Sequence, residues 1–141
     1  APHWGVEGSY RPTQEQMDLA HAAIDAGADI VWGSHPHVLQ PIEEYKDGLI
    51  LYSMGNFCFG GNGAPEDLDT VLIQQEVVKT PDGRVSLGKR KVVPCSIGSA
   101  PGKNNYQPTP LDVDSECYDR VLRKLEGTFS GPNLKIRKIG K

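Results

Sequence analysis

The chain has 141 residues, a length that fits one domain at most, and 18 acidic residues against 15 lysines and arginines give a formal net charge of −3 at pH 7. A composition of 38% hydrophobic and 23% charged residues is typical of a globular protein, and no apolar run approaches the roughly 20 residues of a membrane-spanning helix. Three irregularly spaced cysteines argue against a disulfide framework or a cysteine-based zinc site, and predict ordinary thiols.

The charges are divided unevenly along the chain. Residues 1–70 hold 11 acids and two basic residues, a net charge of −9, whereas residues 71–141 hold seven acids and 13 basic residues, a net charge of +6. An acidic half suits a bound cation, and the basic half, which ends in a basic tail at residues 135–141, could attract an anionic polymer or a membrane surface. The alternative for the tail is a frayed, solvated terminus.

The first predicted element is a helix over residues 13–27. Thr13 followed by Gln16 has the pattern of a capping box, and Gly27 suits the position just after a helix. Between them lies an apolar stripe at helical spacing, formed by Met17, Ala20, Ala23 and Ile24. His21 lies beside that stripe, so we expect a residue of the helix surface, or a partly buried one, rather than a ligand.

Two apolar strands and a hairpin follow. Residues 30–33 read as a buried strand, and residues 38–45 and 49–53 read as two strands joined by a turn at residues 46–48. Because residues 30–33 and 49–53 are nearly all apolar, we expect both to be buried on both faces of a sheet.

The second half begins with a loop and a second hairpin. Residues 60–65 are rich in glycine and end in proline, which predicts a loop. Residues 71–78 and 84–93 are predicted strands, joined at residues 80–83 by a type I turn.

An irregular segment and a helix are predicted last. Residues 94–113 are rich in Pro, Gly, Ser and Asn, and no regular structure is predicted there. Residues 114–129 are a predicted helix, capped by Asp114 or Ser115. Its apolar face would consist of Tyr118, Val121, Leu122 and Leu125.

Histidines form the most informative pattern of the sequence. His35 and His37 flank Pro36 directly after the first predicted strand. Proline favours extended backbone in the residue before it, and in extended chain residues i and i+2 point to the same side. Two imidazoles could then converge on one metal ion, with His3 as a third candidate, although His-x-His pairs also occur as ordinary surface histidines.

Several motifs in fixed order resemble one known family. They are His3-Trp4-Gly5-x-Glu7, Pro12, Gln16, Ala26-Gly27-Ala28-Asp29-Ile30-Val31, Gly33-x-His35-Pro36-His37-Val38-x-Gln40-Pro41 and Tyr52-Ser53-x-Gly55-Asn56-Phe57. Together they resemble the carboxy-terminal half of bacterial poly-gamma-glutamate capsule biosynthesis (CapA-type) proteins, which are similar to calcineurin-like metallophosphoesterases. The resemblance is dense over residues 3–59, extends to the strands at 71–94, and is weak beyond.

The resemblance implies a fold and a set of site residues. The fold would be α/β, part of a metallophosphoesterase-like two-sheet α/β sandwich. By the same resemblance His3, His35 and His37 would be the metal ligands and catalytic residues. Glu7 and Asn56 would lie beside the ligands or contact substrate, unless Glu7 is a surface carboxylate and Asn56 a turn residue. Trp4 and Tyr52 are expected to be packing residues.

The other ligand motifs of the superfamily are not found in this sequence, and no Asp is followed two residues later by His. We therefore expect the amino-terminal half of the fold to be missing. Residues 1–95 would be the carboxy-terminal half of the domain, and residues 96–141 an irregular segment with a terminal helix and the basic tail. Divalent Mn, Zn or Fe would need further ligands from the missing half, so we expect these 141 residues alone to be inactive.

Two classes of function stay open at this stage. One is a metal-dependent, phosphoesterase-like hydrolase or transferase that acts on a phosphoester or a gamma-glutamyl polymer in capsule production. The other is a noncatalytic binding or scaffold module of a membrane-associated polymer synthesis and export complex. The resemblance implies an extracytoplasmic, membrane-associated protein. Expected partners are the missing half or a second copy, and poly-gamma-glutamate or the synthesis complex. Nucleic acid is not expected, since the basic half has few aromatic residues and no recognition motif.

Overall fold

The computed structural model describes residues 1–61 and 63–135, which form an α/β structure with two small sheets and two helices. The elements in chain order are α1 Gln14–Asp25, β1 Ile30–Trp32, β2 Ile42–Tyr45, β3 Gly48–Leu51, β4 Asp69–Lys79, β5 Val85–Ser96, β6 Thr109–Pro110 and α2 Glu116–Leu125. The α/β class agrees with the prediction. None of the helices in this part of the chain is long and apolar enough to cross a membrane.

Helix α1 begins as predicted. The Thr13 side chain accepts a hydrogen bond from the Gln16 backbone N–H, and the Gln16 side chain accepts one from the Thr13 N–H, which completes the capping box. The helix ends at Asp25, two residues before the predicted end, because Ala26 is the cap residue and Gly27 takes φ +103.

The first sheet has the order β1-β3-β2 and packs on α1. β3 is parallel to β1 and antiparallel to β2, with Tyr45 opposite Gly48, so the predicted hairpin is confirmed, although its first strand begins at Ile42. The turn is possible because Lys46 takes φ +53. The core between helix and sheet consists of Ala20, Ile24, Val31, Ile50 and Tyr52.

One prediction about this sheet is wrong. All four residues of β3 are buried, but in β1 only Val31 is buried and the Trp32 side chain is 48% exposed. The reason is position, since β1 lies at the edge of the described sheet and pairs with β3 alone.

The second sheet has the order β4-β5-β6. The predicted hairpin is confirmed, and its turn is closed by the Gly83 N–H, which donates to the Thr80 carbonyl oxygen at 2.9 Å. The prediction of an irregular segment at residues 94–113 is wrong at both ends. β5 continues to Ser96, and β6 pairs with it through Cys95 opposite Pro110, because short-range composition does not reveal pairing between distant segments.

Helix α2 packs against the second sheet. Ser115, one of the two predicted caps, accepts a hydrogen bond from the Tyr118 N–H. The helix ends at Leu125, four residues before the predicted end, because Gly127 takes φ +75. The core beneath it consists of Leu39, Val71, Val121 and Leu125.

Three remaining expectations concern the whole chain. The cysteines are free thiols, as predicted. The boundary near residue 95 stays a prediction, although α2 lies on β4 and β5. Of the basic tail, residues 136–141 lie outside the described residues.

Candidate metal centre

The loop after β1 carries His35 and His37 in an unusual backbone conformation. His35 has φ +105 and His37 has φ +59, so the predicted extended conformation of His35 is wrong. Pro36 and Val38 are fully buried, and the Pro36 carbonyl accepts a hydrogen bond from the Gly8 N–H at 2.8 Å. These contacts outweigh the local preference set by proline. Non-glycine residues at positive φ cost about 1–3 kcal/mol each and occur often at functional sites.

The amino-terminal segment places His3 beside this loop. The Trp4 N–H donates to the Ser34 carbonyl at 3.1 Å, and the Ser34 N–H donates to the Pro2 carbonyl at 3.1 Å, so the two segments run parallel here. The ring centres of His3 and His35 are 4.6 Å apart, and those of His35 and His37 are 6.2 Å apart. The three histidines of the sequence motifs therefore lie side by side.

A carboxylate completes a possible donor set with two of these histidines. One ligand atom each of Glu7, His35 and His37 lies within 4.8 Å of the others, whereas His3 is outside this group and beside His35. The resemblance implied a position beside the ligands for Glu7, and its carboxylate lies close enough to His35 and His37 to be a ligand itself. The available signal was the pair Gly5 and Gly8, whose φ values of +84 and +72 turn the intervening segment back toward the loop.

Asn56 sets the tautomer of the neutral His37 ring. The Asn56 Nδ2 donates to the His37 carbonyl oxygen at 3.3 Å, which turns Oδ1 toward the ring. The His37 Nδ1–H therefore donates to Asn56 Oδ1, at 2.7 Å, and in the neutral ring Nε2 carries the lone pair. A histidine held in this way presents Nε2 as a metal ligand, and the hydrogen bond on the other nitrogen sets the ring orientation.

Ser34 contacts His3 through its hydroxyl group. The Ser34 oxygen lies 3.2 Å from His3 Nδ1, and the hydroxyl donates to the Pro2 carbonyl oxygen at 3.4 Å. This contact involves Nδ1 of His3 and not Nε2.

The loop after β3 borders the histidines. The Phe59 ring centre lies 4.9 Å from that of His37, and the Phe59 carbonyl oxygen accepts a hydrogen bond from Asn104 Nδ2 at 2.9 Å. Trp4 and Tyr52 contribute packing, since the Trp4 indole N–H donates to the Tyr52 carbonyl at 2.9 Å and Tyr52 is buried.

The chemistry of the donor set fits a divalent transition metal. Two neutral imidazoles and one carboxylate are a common ligand set for catalytic zinc and for non-haem iron, and manganese accepts the same donors. The set leaves coordination positions for water or substrate. The roles of these residues stay a prediction.

Comparisons with known proteins agree on one family. The family model described as "Bacterial capsule synthesis protein PGA_cap" matches residues 1–61, a range that contains every candidate site residue. The chain is 40% identical over 123 residues to the "PGA biosynthesis protein CapA" of Bacillus subtilis, which covers 87% of this chain and 29% of that protein. It is 50% identical over 72 residues to the "Capsule biosynthesis protein CapA" of Bacillus anthracis, which covers 51% of this chain and 17% of that protein.

These matches support a CapA-type capsule biosynthesis family for the chain, over part of each relative. It spans less than a third of the length of these two relatives. A third relative, a "Probable polyglutamine synthesis accessory protein" of Mycobacterium tuberculosis, is 41% identical over 54 residues, 38% of this chain and 14% of that protein.

Sequence reasoning missed a buried ionic network in this chain. Lys124 on α2 is 2% exposed, and its Nζ lies 2.6 Å from carboxylate oxygens of both Asp67 and Asp69. Arg120 binds Asp69 through two hydrogen bonds of 2.7 Å. Burial and the adjacent Asp67 carboxylate raise the pKa of the Tyr10 hydroxyl, which lies against the same network. Residues 55 and 57 positions apart give no local pattern from which the network could be found.

The fourth histidine lies outside the candidate centre. His21 Nε2 is 2.9 Å from a Glu43 carboxylate oxygen, and its ring stacks on Tyr45 with centres 3.9 Å apart. The other Glu43 oxygen accepts the Tyr52 hydroxyl at 2.6 Å, and burial followed by this hydrogen bond raises the pKa of Tyr52. His21 is partly buried on the helix surface, as predicted.

Proposed function

We propose that this chain contributes Glu7, His35 and His37, with His3 beside them, to a metal-dependent, phosphoesterase-like hydrolase site in a protein of poly-gamma-glutamate capsule production. The observation that carries the proposal is the approach of three ligand atoms to within 4.8 Å of one another at the end of β1. The family supports the capsule setting. The strained backbone at both histidines supports a functional role for the loop.

The residues have distinct tasks in this proposal. Glu7, His35 and His37 would hold the ion, and Asn56 would keep the His37 ring oriented with Nε2 toward it. When bound, a divalent metal supplies a Lewis acid and lowers the pKa of a bound water. His3, which contacts Ser34 through Nδ1, would use Nε2 to exchange a proton with a substrate or leaving-group oxygen.

The substrate class is a phosphoester or a gamma-glutamyl polymer. Mn, Zn and Fe all suit the donor set, and the proposal includes further ligands supplied from outside this chain, by the rest of a longer protein or by a second copy. The exposed Trp32 on edge strand β1 supports an association there. The proposed setting is extracytoplasmic and membrane-associated.

Metal loading and turnover of the intact protein test the proposal. The protein is loaded with Mn²⁺, Zn²⁺ or Fe²⁺ and assayed with a phosphodiester, a phosphomonoester and poly-gamma-glutamate. We expect His35→Ala or His37→Ala to remove bound metal and turnover together, because each deletes a ligand. Binding should also weaken at acidic pH, since an imidazole must be neutral to bind metal. The matched control is His21→Ala, which changes a histidine bound to Glu43 instead and should keep both.

The opposite result favours the scaffold alternative. If all three substrates stay inert while polymer binding persists in both histidine variants, the hydrolase proposal is wrong. The protein would then be a noncatalytic module of a polymer synthesis and export complex.

A further inference from the structure

We propose that the carboxy-terminal arm, defined as residues 129–134, is a positioning element that holds Glu7 against His35 and His37. This inference rests on the proposed function, because it assigns the arm a task in building the same site. It concerns residues outside the range matched by the family model, which ends at residue 61.

The arm contacts two of the three residues that directly follow Glu7, namely Gly8 and Tyr10. The Leu134 N–H donates to the Gly8 carbonyl oxygen at 3.0 Å. The Tyr10 N–H donates to Asn133 Oδ1 at 3.1 Å, although the two residues are 123 positions apart. The hydrogen bonds of Asn133 and Leu134 therefore fall on one short segment beside a candidate ligand, whereas the Phe129 N–H donates to the Arg123 carbonyl oxygen of α2.

The arm is itself anchored on a rigid base. The Phe129 ring packs edge to face on the Tyr10 ring, with centres 4.8 Å apart. The Lys124 ammonium lies 4.7 Å from the centre of the Tyr10 ring and 5.2 Å from that of Phe129. Because Lys124 is bound to two buried carboxylates, both rings rest on a fixed charge.

Gly8 connects the arm to the candidate metal centre through its two backbone hydrogen bonds. Its carbonyl is bound by the arm, and its N–H donates to the Pro36 carbonyl between the two histidines. Gly8 is buried with φ +72, and the peptide units before and after it are each held by one of these hydrogen bonds. The direction of the Glu7 side chain relative to His35 and His37 is set by that hold. Gln40 supports the next residues, since its Nε2 donates to the carbonyl oxygens of Ser9 and Arg11.

The test uses one side-chain oxygen, Asn133 Oδ1, to separate an effect on the position of Glu7 from an effect on stability. In the intact protein, Asn133→Ala removes the acceptor for the Tyr10 N–H, whereas Asn133→Asp keeps an oxygen there. Calorimetric titration with Co²⁺ gives the affinity, and the visible absorption of bound Co²⁺ reports the ligand geometry. We expect about a 10-fold weaker affinity and an altered spectrum for Asn133→Ala, with recovery in Asn133→Asp, as for other groups that orient ligands.

The matched control is Asn105→Ala, which removes a similar contact elsewhere. There Asn105 Oδ1 accepts the Ser99 N–H at 3.0 Å, and this contact lies outside the arm. Its Co²⁺ affinity should equal that of the unaltered protein. The unfolding midpoint of each metal-free variant is recorded as well, because a merely structural arm would lower the midpoint of Asn133→Ala and leave the affinity and spectrum of folded molecules unchanged.

Two outcomes overturn the inference, and they differ from each other. Unchanged Co²⁺ affinity and spectrum in Asn133→Ala, with normal binding by the unaltered protein, refute the positioning role alone. No Co²⁺ binding by the unaltered protein refutes the proposed function and the positioning role together.

Discussion

This protein has two clusters of titratable side chains. They differ in how many of their polar atoms form ion pairs or hydrogen bonds within the chain. In the network beneath α2, Lys124 and Arg120 neutralise Asp67 and Asp69, and every charged group has an opposite charge at hydrogen-bond distance. In the candidate metal centre the described contacts hold His37 and His3 through Nδ1, and Nε2 is directed elsewhere.

The difference indicates different tasks. A network whose charges are all paired inside the fold fixes α2 to β4 and offers little to a ligand. His37 is held through Nδ1 and, like His35, lies on backbone at positive φ, so the histidine loop retains binding capacity at a cost in stability. Substitutions in the two clusters should therefore act on different observables: stability in one and metal affinity in the other.

The largest effect is expected from Lys124→Ala. Removal of one partner from a buried ion pair leaves uncompensated charge and costs about 3–5 kcal/mol, so the free energy of unfolding should fall by that amount. Denaturant unfolding measures it. The control is Lys91→Ala, which changes an exposed lysine on β5 and should stay within about 0.5 kcal/mol of the unaltered protein. Equal effects for the two lysines would show that the network does not stabilise the fold.

Asn56→Ala should act on metal binding. Loss of the acceptor for His37 Nδ1–H releases the ring, and affinity should fall about 10- to 100-fold, or about 1.4–2.8 kcal/mol. Calorimetric titration of the intact protein measures the affinity. Asn56→Asp retains an oxygen acceptor and should bind more tightly than Asn56→Ala. Identical affinities for the two variants would mean that the hydrogen bond does not orient the ligand.

A lower pH should weaken the ionic network beneath α2. Burial, the largest single influence, raises the pKa of Asp69, but the hydrogen bonds and charges of Arg120 and Lys124 together outweigh it and lower the pKa below its ordinary value. Asp69 therefore stabilises the fold above the pKa of an unfolded aspartate, near 4, and this contribution is lost as pH falls through the lower folded pKa. The slope is at most about 1.4 kcal/mol per pH unit for one proton. The free energy of unfolding, measured from pH 6 to pH 2, should fall as the pH is lowered. This fall should be smaller in Asp69→Asn.

The predictions that were confirmed concern interactions between residues close together in the sequence. The capping box of Thr13 and Gln16 and the turn at residues 80–83 depend on side chains and backbone a few positions apart, so the sequence contains the whole interaction. The hairpin turn at residues 46–48 is a third example.

The features that local sequence reasoning did not reveal depend on distant segments. The positive φ of His35 follows from the burial of Pro36 and from its bond to Gly8, which local proline preference opposes. The pairing of Lys124 with Asp67 joins two residues that each look like a surface charge in the sequence. Glu7 reaches the histidines only through the turn between Gly5 and Gly8.

The smallest expected effect isolates the backbone strain of the histidine loop. At φ +105, an alanine keeps the steric cost of about 1–2 kcal/mol that a glycine avoids, whereas glycine loses more backbone entropy on folding, about 0.5–1 kcal/mol. His35→Gly should therefore be more stable than His35→Ala by about 0.5–1 kcal/mol in the metal-free protein. His21 offers a control of opposite sign, because it lies within α1, where His21→Gly should be less stable than His21→Ala by about 1 kcal/mol. Denaturant unfolding of the four variants gives both differences. If the glycine variant is less stable than the alanine variant at both positions, the backbone at His35 is not strained. The contrast between a fully paired ionic network and a strained histidine loop would then be wrong at His35.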